Sequence, residues 1–137
     1  MTRVVIDTNV VLPVIVRSSP LHLIYATIVD ERLEWLISTA IYLEYLEQVG
    51  ERSSTATASL LRDTLRFTAS VTAVEPSYRW RLVSGDPDDD KFVDCAVAGD
   101  ADYLVTDDRH YGRLRDVPFP RLPVVTGRQF LDVLSHR

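Results

Sequence analysis

Short apolar segments rich in β-branched residues alternate with helical segments along the whole chain. RVVID, EWLIS, VTAV, YLVT and RLPVV have the composition of strands. The segments between them carry apolar residues at helical spacing, as Ile41, Tyr45 and Val49 do. Strands separated by helices pair in parallel, because each helix carries the chain back to the start of the next strand. The sequence therefore predicts a three-layer α/β/α domain with a mostly parallel central sheet.

Length and composition predict one domain. The 137 residues are 46% apolar and 26% charged, which is ordinary usage for a folded soluble protein, and no repeat or linker divides them. We expect residues 1–137 to form a single domain. No apolar run approaches the roughly 18 residues of a membrane span, and the N-terminus lacks a secretory signal pattern, so we expect a cytoplasmic protein with no membrane association. Cys95 is the single cysteine, so a metal site here would use oxygen ligands.

Acidic residues are concentrated in one part of the chain. The formal net charge is −5, so the chain as a whole does not attract nucleic acid. Nine of the 20 acidic residues lie between Asp86 and Asp108, where Lys91 is the only basic residue. Because crowded carboxylates repel one another, this cluster must either lie in open water or be balanced by cations.

Asp7 and Asp108 follow two of the predicted strands. Asp7 comes directly after the apolar run VVI, and Asp108 follows YLVT after one intervening residue. In open parallel sheets, ligands bind at the carboxyl ends of the strands, near the switch in strand order. We therefore expect both carboxylates at one edge of the sheet, where they can converge. The alternative is that each acid only caps the helix that begins after its strand, and the sequence leaves both interpretations open.

The segment DPDDDK begins a predicted helix. Asp86 suits the N-cap, with Pro87 at the first helical position and the next acids near the positive end of the helix dipole. Capping does not need all four acids, however, and Asp90 and Asp94 lie one turn apart on the helix. The predicted apolar face consists of Phe92, Val93, Ala96 and Val97. We expect Asp90 at the flank of this face, toward a cleft, and Asp94 farther toward solvent.

The spacing argues against three other kinds of site. An EF-hand calcium loop would need Gly where Lys91 stands and Glu where Val97 stands. A phosphotransferase of the haloacid dehalogenase kind would need a second Asp at the position of Asn9. The five glycines form no GxGxxG motif, so the sequence does not support a dinucleotide site.

Three acidic segments together resemble a known family. The segments VVIDTNVVL, STAIYLEYLEQV and DPDDDKFVDCAVAGDADYLVTDD are similar, in that order, to the acidic motifs of PIN domains. RLPVVTGRQFLDVL resembles the last strand and helix of the same family, so the resemblance covers nearly the whole chain. It extends to the VapC-type ribonucleases of bacterial toxin-antitoxin systems. The resemblance implies an endoribonuclease that depends on Mg²⁺ or Mn²⁺, with RNA as its substrate and a protein antitoxin as its partner.

The resemblance also implies roles for individual residues. Asp7, Glu44, Asp90 and Asp108 match the four catalytic acids of the family. Asp7, Asp90 and Asp108 would bind the metal ion, and Asp94 matches an accessory acidic position. Glu44 lies away from the apolar stripe of its own helix, so an ordinary surface glutamate remains the alternative.

Several neighbouring residues extend this prediction. The side chains that could orient the ligand carboxylates or a water are Thr8, Asn9 and Thr106, and each also suits a helix cap or a strand end. Lys91, Arg109 and Arg113 flank the acids and could hold phosphates, although surface bases usually form solvated pairs of little energetic consequence. Asp107 stands directly before Asp108, where the family often has a small residue, and the register of the motif favours Asp108 as the acid at the site.

Two helical segments are candidates for protein contacts. PLHLIYATIVDERL and TAIYLEYLEQV carry apolar surfaces that suit an antitoxin segment in a groove, or a homodimer. Two other functions also remain open from sequence. One is a PIN-like module that binds RNA or protein without cleavage, and the other is a structural α/β module whose acids are caps and surface charge.

Overall fold

Five strands and six helices alternate in the part of the chain that the structure describes. It is a computed structural model and describes residues 1–81, 87–108 and 121–136, with only the backbone of Pro87 and Asp88. The strands are β1 (Thr2–Ile6), β2 (Leu33–Ile37), β3 (Val71–Ala73), β4 (Tyr103–Val105) and β5 (Val124–Val125). The helices are α1 (Thr8–Ile15), α2 (His22–Val29), α3 (Thr39–Arg52), α4 (Thr55–Phe67), α5 (Pro87–Ala98) and α6 (Gly127–Ser135). The predicted cap Asp86 and the flanking Arg109 and Arg113 lie outside the described residues.

The described strands form one sheet in the order β3-β2-β1-β4-β5, and every pair is parallel. A parallel sheet must be covered on both faces, and Val4, Val5 and Ile6 of the central strand are accordingly fully buried. The predicted α/β/α fold with a mostly parallel sheet is confirmed.

The strand order reverses at β1. The chain runs from β1 outward to β2 and β3, and then returns to the other side of β1 to form β4 and β5. Ile6 pairs with Val105, so the residues that follow them leave the sheet side by side. A switch point of this kind opens a crevice at the carboxyl ends of the two strands, which is the edge where the sequence predicts a site.

A hydrogen-bonded turn precedes the second helix. Proline suits the first turn of a helix, but here Pro20 lies before α2, which begins at His22. The preceding turn is closed by Ser19, whose side-chain oxygen accepts a hydrogen bond from the Leu21 N–H at 3.1 Å and whose carbonyl accepts one from the His22 N–H at 3.0 Å. These two bonds satisfy the amides of Leu21 and His22 within the turn, so the helix begins only after it.

A buried tyrosine fixes α3 to the end of β1. The Tyr45 hydroxyl donates a hydrogen bond to the Ile6 carbonyl and accepts one from the Trp35 indole N–H at 3.3 Å. Tyr45 is fully buried, and burial raises the pKa of its hydroxyl well above 10.0, so the group stays protonated. Because Glu44 is its neighbour in the sequence, this anchor determines where the Glu44 backbone lies relative to the switch point.

Two further findings bear on the predictions. Cys95 is fully buried, and burial raises the pKa of its thiol to about 12, so it acts as an inert apolar residue at neutral pH. None of the helices in the described parts of the chain has both the length and the apolar character of a membrane span.

Candidate functional site

Asp7 lies between β1 and α1, at the switch point of the sheet. It is 5% exposed, and its two carboxylate oxygens accept hydrogen bonds from the Thr8 N–H and from the Thr106 hydroxyl, both at 2.7 Å. Its own N–H donates to the Val105 carbonyl at 2.9 Å. Asp7 is therefore the N-cap of α1, as the structural alternative predicts, and it also joins the ends of β1 and β4.

The environment of Asp7 disfavours its charged form. Burial raises the pKa of Asp7 from 3.8 to about 6, against the two hydrogen bonds, which lower it. That value includes smaller upward contributions from the carboxylates of Asp108 and Glu44. Neither hydrogen-bond donor to Asp7 carries a positive charge, so a cation at this carboxylate would relieve an electrostatic cost that the two bonds only reduce.

Thr106 organises the turn after β4. Its hydroxyl donates to Asp7 and accepts a hydrogen bond from the Asp108 N–H at 3.0 Å. Because Thr106 is almost completely buried, these two bonds are shielded from competing water. One side chain thus fixes both the Asp7 carboxylate and the backbone of Asp108.

The two adjacent acids after β4 have different partners. The Asp107 carboxylate accepts a hydrogen bond from the Gly127 N–H at 3.1 Å, at the first residue of α6. The Asp107 N–H donates to the Asn9 side-chain oxygen at 3.4 Å, which links this turn to α1. Asp108, in contrast, lies close enough to Asp7 to raise its pKa. Asp107 is therefore directed to α6, and Asp108 is the acid that neighbours Asp7.

Glu44 joins α3 to α1 and α5. One of its carboxylate oxygens accepts a hydrogen bond from the Thr8 hydroxyl, and the other lies 2.5 Å from the Lys91 ammonium nitrogen. The side chains of Glu44 and Lys91 are 21% and 19% exposed. Glu44 is thus not the solvated surface glutamate that its position on the helix suggests, and Lys91 is not an ordinary solvated base.

Asp90 and Asp94 lie one turn apart on α5 in different surroundings. Asp94 is only 7% exposed, so the expectation that it faces solvent is wrong. The segment before Arg81 packs over this side of α5, and the Trp80 N–H donates to the Asp94 carboxylate at 2.9 Å. Burial raises the pKa of Asp94, and the Asp90 carboxylate raises it further. Asp90 itself is half-buried and directly precedes Lys91.

These acids suit a divalent metal ion in donor type but not in arrangement. Carboxylate oxygens are the ligands that Mg²⁺ and Mn²⁺ prefer, and the charge balance around Asp7 favours a cation. Yet within residues 1–81, 87–108 and 121–136 no three acidic, histidine or cysteine side chains converge closely enough to hold an ion. The Glu44 carboxylate is directed to Lys91, and that of Asp94 to the Trp80 backbone.

Sequence reasoning missed two residues that shape this site. The sequence pattern groups Lys91 with ordinary solvated bases. It is, however, the only basic residue among the nine acids between Asp86 and Asp108, which indicates that it compensates their charge. Tyr45 is one of several apolar residues on the stripe of α3, and nothing in the sequence indicates that its hydroxyl reaches the end of β1.

Comparison with solved structures gives matches over nearly the whole chain. VapBC2 from Rickettsia felis bound to a promoter DNA fragment is 16% identical with a TM-score of 0.61, over 91% of this chain and 98% of that one. PAE2754 from Pyrobaculum aerophilum is 16% identical with a TM-score of 0.61, over 99% and 97% of the two chains. The PIN domain endonuclease Utp24 is 19% identical with a TM-score of 0.55, over 90% and 84%. At these identities the similarity concerns the fold.

Comparison of the sequence itself gives the family. No curated protein matches the chain significantly. A family model described as the PIN domain matches residues 3–110, which include both Asp7 and Asp108 and extend from β1 past the end of β4. Since this match covers well over half of the chain and agrees with the fold, the protein belongs to the PIN domain family.

Proposed function

We propose that this protein is a metal-dependent endoribonuclease that hydrolyses RNA phosphodiester bonds and is the toxin of a bacterial toxin-antitoxin pair. Membership of the PIN family supports a nuclease role, as does the likeness in fold to the endonuclease Utp24 and to VapBC. The observation that carries the proposal is the buried Asp7, which has two carboxylate neighbours at the switch point of a parallel sheet and a pKa of about 6.

In this proposal the acids at the switch point divide the chemistry. Asp7, Glu44, Asp90 and Asp108 are the catalytic acids, and Asp7, Asp90 and Asp108 hold Mg²⁺ or Mn²⁺, with Asp94 as an accessory acid. Mg²⁺ or Mn²⁺ held by these residues would supply an activated water and a positive charge to offset the charge that develops on the phosphate.

Three polar residues prepare the acids for this role. The Thr106 hydroxyl holds the Asp7 carboxylate, and Thr8 donates to Asp7 through its amide and to Glu44 through its hydroxyl. The Asn9 side chain accepts from the turn that carries Asp108. These bonds fix the acids before substrate arrives, so less ordering remains to be done during the reaction.

We also propose that residues 1–137 form a single PIN domain that acts in the cytoplasm, without a membrane. The support for one domain is that strands from both ends of the chain, β1 and β5, belong to the same sheet. Leu23 on α2 and Leu43 on α3 are exposed, which supports a contact of these helices with an antitoxin segment or a second copy of the chain.

A second candidate function is an RNA-binding or protein-binding PIN module that does not cleave. The observation that favours it is that no three potential metal ligands converge in the described parts of the chain. Under this alternative the acids balance charge and satisfy helix starts, as Asp7 does as the N-cap of α1 and Asp107 does by accepting from the first amide of α6.

The experiment that tests the proposal is cleavage of structured and unstructured RNA by the purified protein, with Mn²⁺, Mg²⁺ or EDTA. We expect metal-dependent cleavage that falls at least about 100-fold in Asp7→Asn and Asp108→Asn. The matched control is Asp63→Asn, which changes an exposed aspartate on α4 and should cleave like the wild type. Wild-type cleavage by correctly folded Asp7→Asn would refute the proposed catalytic site, and RNA binding without cleavage would favour the second candidate.

A further inference from the structure

Both carboxylate oxygens of Glu44 are already engaged. The Thr8 hydroxyl donates to one oxygen, and the Lys91 ammonium lies 2.5 Å from the other. The pair is about four-fifths buried on each side, with exposed fractions of 21% for Glu44 and 19% for Lys91. It is therefore shielded from water and salt more than an exposed surface ion pair is.

Lys91 brings a single positive charge into a crowded group of acids. It is the only basic residue between Asp86 and Asp108, and it directly follows Asp90. Its ammonium also lies 5.8 Å from the centre of the Phe92 ring, on the apolar side of α5. The ion pair with Glu44 thus joins α5 to α3 beside Asp7, whose pKa the Glu44 carboxylate raises.

A divalent ion and the Lys91 ammonium cannot share Glu44 without repulsion. Two cations bound to one carboxylate repel each other strongly where water is largely excluded. An ion at the proposed site that also takes Glu44, the fourth catalytic acid, as a ligand therefore competes with Lys91 for that carboxylate.

We propose that Lys91 is an internal counter-cation that holds Glu44 in the metal-free protein and competes with a divalent ion for that carboxylate. This inference rests on the proposed function, because it concerns the same acids. It makes Lys91 a positioning residue that sets the metal affinity of the site through Glu44. The protein would then remain folded without metal and form its complete acidic site only when enough metal is present.

The test is titration of Mn²⁺ alone, without RNA, into the full chain of wild type and Lys91→Met, followed by calorimetry. Methionine keeps much of the apolar stem and removes the charge. We expect Lys91→Met to bind Mn²⁺ about three- to tenfold more tightly, as expected for losing one ion pair of modest strength. In a Glu44→Gln background the same substitution should change Mn²⁺ affinity less than about twofold, because the carboxylate for which the two cations compete is gone.

A matched ion pair at the other end of the sheet supplies the control. Arg3 and Glu34 pair at 3.4 Å on neighbouring strands, close to where β1 begins. Arg3→Met removes this pair and should leave Mn²⁺ affinity unchanged. Thermal unfolding in EDTA gives a second measurement. Lys91→Met should melt below the wild type in EDTA and lose that deficit in Mn²⁺, whereas any deficit of Arg3→Met should be the same in both.

The outcomes separate this inference from the proposed function. Tighter Mn²⁺ binding by Lys91→Met supports the inference, including the case in which the wild type binds no ion and the variant does. Equal or weaker binding by the variant overturns it and leaves metal dependence intact. Failure of both proteins to bind Mn²⁺ overturns the inference and the proposed metal dependence together. Lys91→Gln, which keeps a hydrogen-bond donor for Glu44, replaces Lys91→Met in every arm if the methionine variant does not fold.

Discussion

The Thr106 hydroxyl lies 2.7 Å from an Asp7 carboxylate oxygen, although 99 positions separate the two residues in the sequence. This buried hydrogen bond joins the ends of β1 and β4 across the point where the strand order reverses. The same hydroxyl accepts from the Asp108 N–H, so the contact links the two acids that follow these strands. Stability and site geometry thus depend on the same group, which makes the contact testable in both ways.

Thr106→Val should destabilise the protein more at neutral pH than in acid. The substitution keeps the shape and removes the only side-chain donor found on Asp7 in the described residues, so a charged Asp7 loses a partner. We expect a loss of about 1–3 kcal/mol in the free energy of unfolding near pH 7, and a smaller loss near pH 4, where Asp7 is protonated. Urea denaturation at both pH values measures this difference.

The control for that experiment is Thr27→Val. Thr27 is also buried, but its hydroxyl donates to the Leu23 carbonyl within α2. The stability lost in Thr27→Val should therefore not depend on pH. An effect of Thr106→Val that is the same at both pH values would contradict the assigned link to a charged Asp7.

Asp7→Asn should stabilise the metal-free protein at neutral pH. The pKa of Asp7 is about 6 in the folded state and 3.8 in the reference state, so the folded state binds the proton more tightly. The stability that this residue contributes is complete below about pH 4 and is lost as the pH rises through about 6. The full difference corresponds to about 3 kcal/mol. Asparagine should recover part of it, because its side-chain amide offers one acceptor oxygen where the carboxylate offers two.

Urea denaturation in EDTA between about pH 4 and pH 7.5 measures that effect. The wild type should lose stability with rising pH in this window, and Asp7→Asn should show a shallower slope. Asp94, whose pKa burial also raises, adds a slope of the same sign that the variant retains. A variant less stable than the wild type near neutral pH would contradict the prediction.

Divalent metal should raise the unfolding temperature of the wild type. An ion that binds only the folded state stabilises it by about 2.7 kcal/mol at 100 times its dissociation constant. Thermal unfolding in EDTA, Mg²⁺ and Mn²⁺ is the measurement, repeated on Asp90→Asn and on the exposed Asp63→Asn. We expect the rise in the wild type and in Asp63→Asn but not in Asp90→Asn. An equal rise in all three proteins would mean that the ion binds elsewhere.

Asp107→Asn and Asp108→Asn should have opposite consequences. Asp107 accepts from the Gly127 N–H at the start of α6, so weakening this contact should cost up to about 1 kcal/mol of stability and leave cleavage intact. Asp108 neighbours Asp7, so its neutralisation should reduce cleavage severely and relieve repulsion in the folded state. Urea denaturation and RNA cleavage on the same samples distinguish the two variants. If Asp107→Asn lost cleavage and Asp108→Asn kept it, Asp107 would be the acid of the site.

The fold could be predicted from sequence because it depends on repeated, local patterns. The alternation of strands and helices determines a parallel sheet, and the position of Asp7 directly after a buried strand determines that it emerges at the carboxyl edge. The start of α6 is local in the same way, because Thr126 directly precedes the helix and forms a capping box with Gln129.

The partners of individual acids could not be predicted in this way. Helical periodicity gives the direction of Asp94 relative to α5, but not that the irregular segment around Trp80 covers it. In the same way, the sequence places Asp107 and Asp108 side by side, and only the position of α6 decides which one turns away. Such contacts depend on how separate elements pack, which no pattern within one element contains.

The anchor of α3 also determines which movements a rearrangement of the acidic site requires. Since the Tyr45 hydroxyl holds α3 to the Ile6 carbonyl, Glu44 can exchange partners only by rotating its own side chain, while the helix stays in place. Side-chain rotations are far faster than the microsecond to millisecond movements of whole helices. In kinetic terms, the site should therefore respond to metal in a single phase whose rate rises in proportion to ion concentration, without a slow step of helix movement.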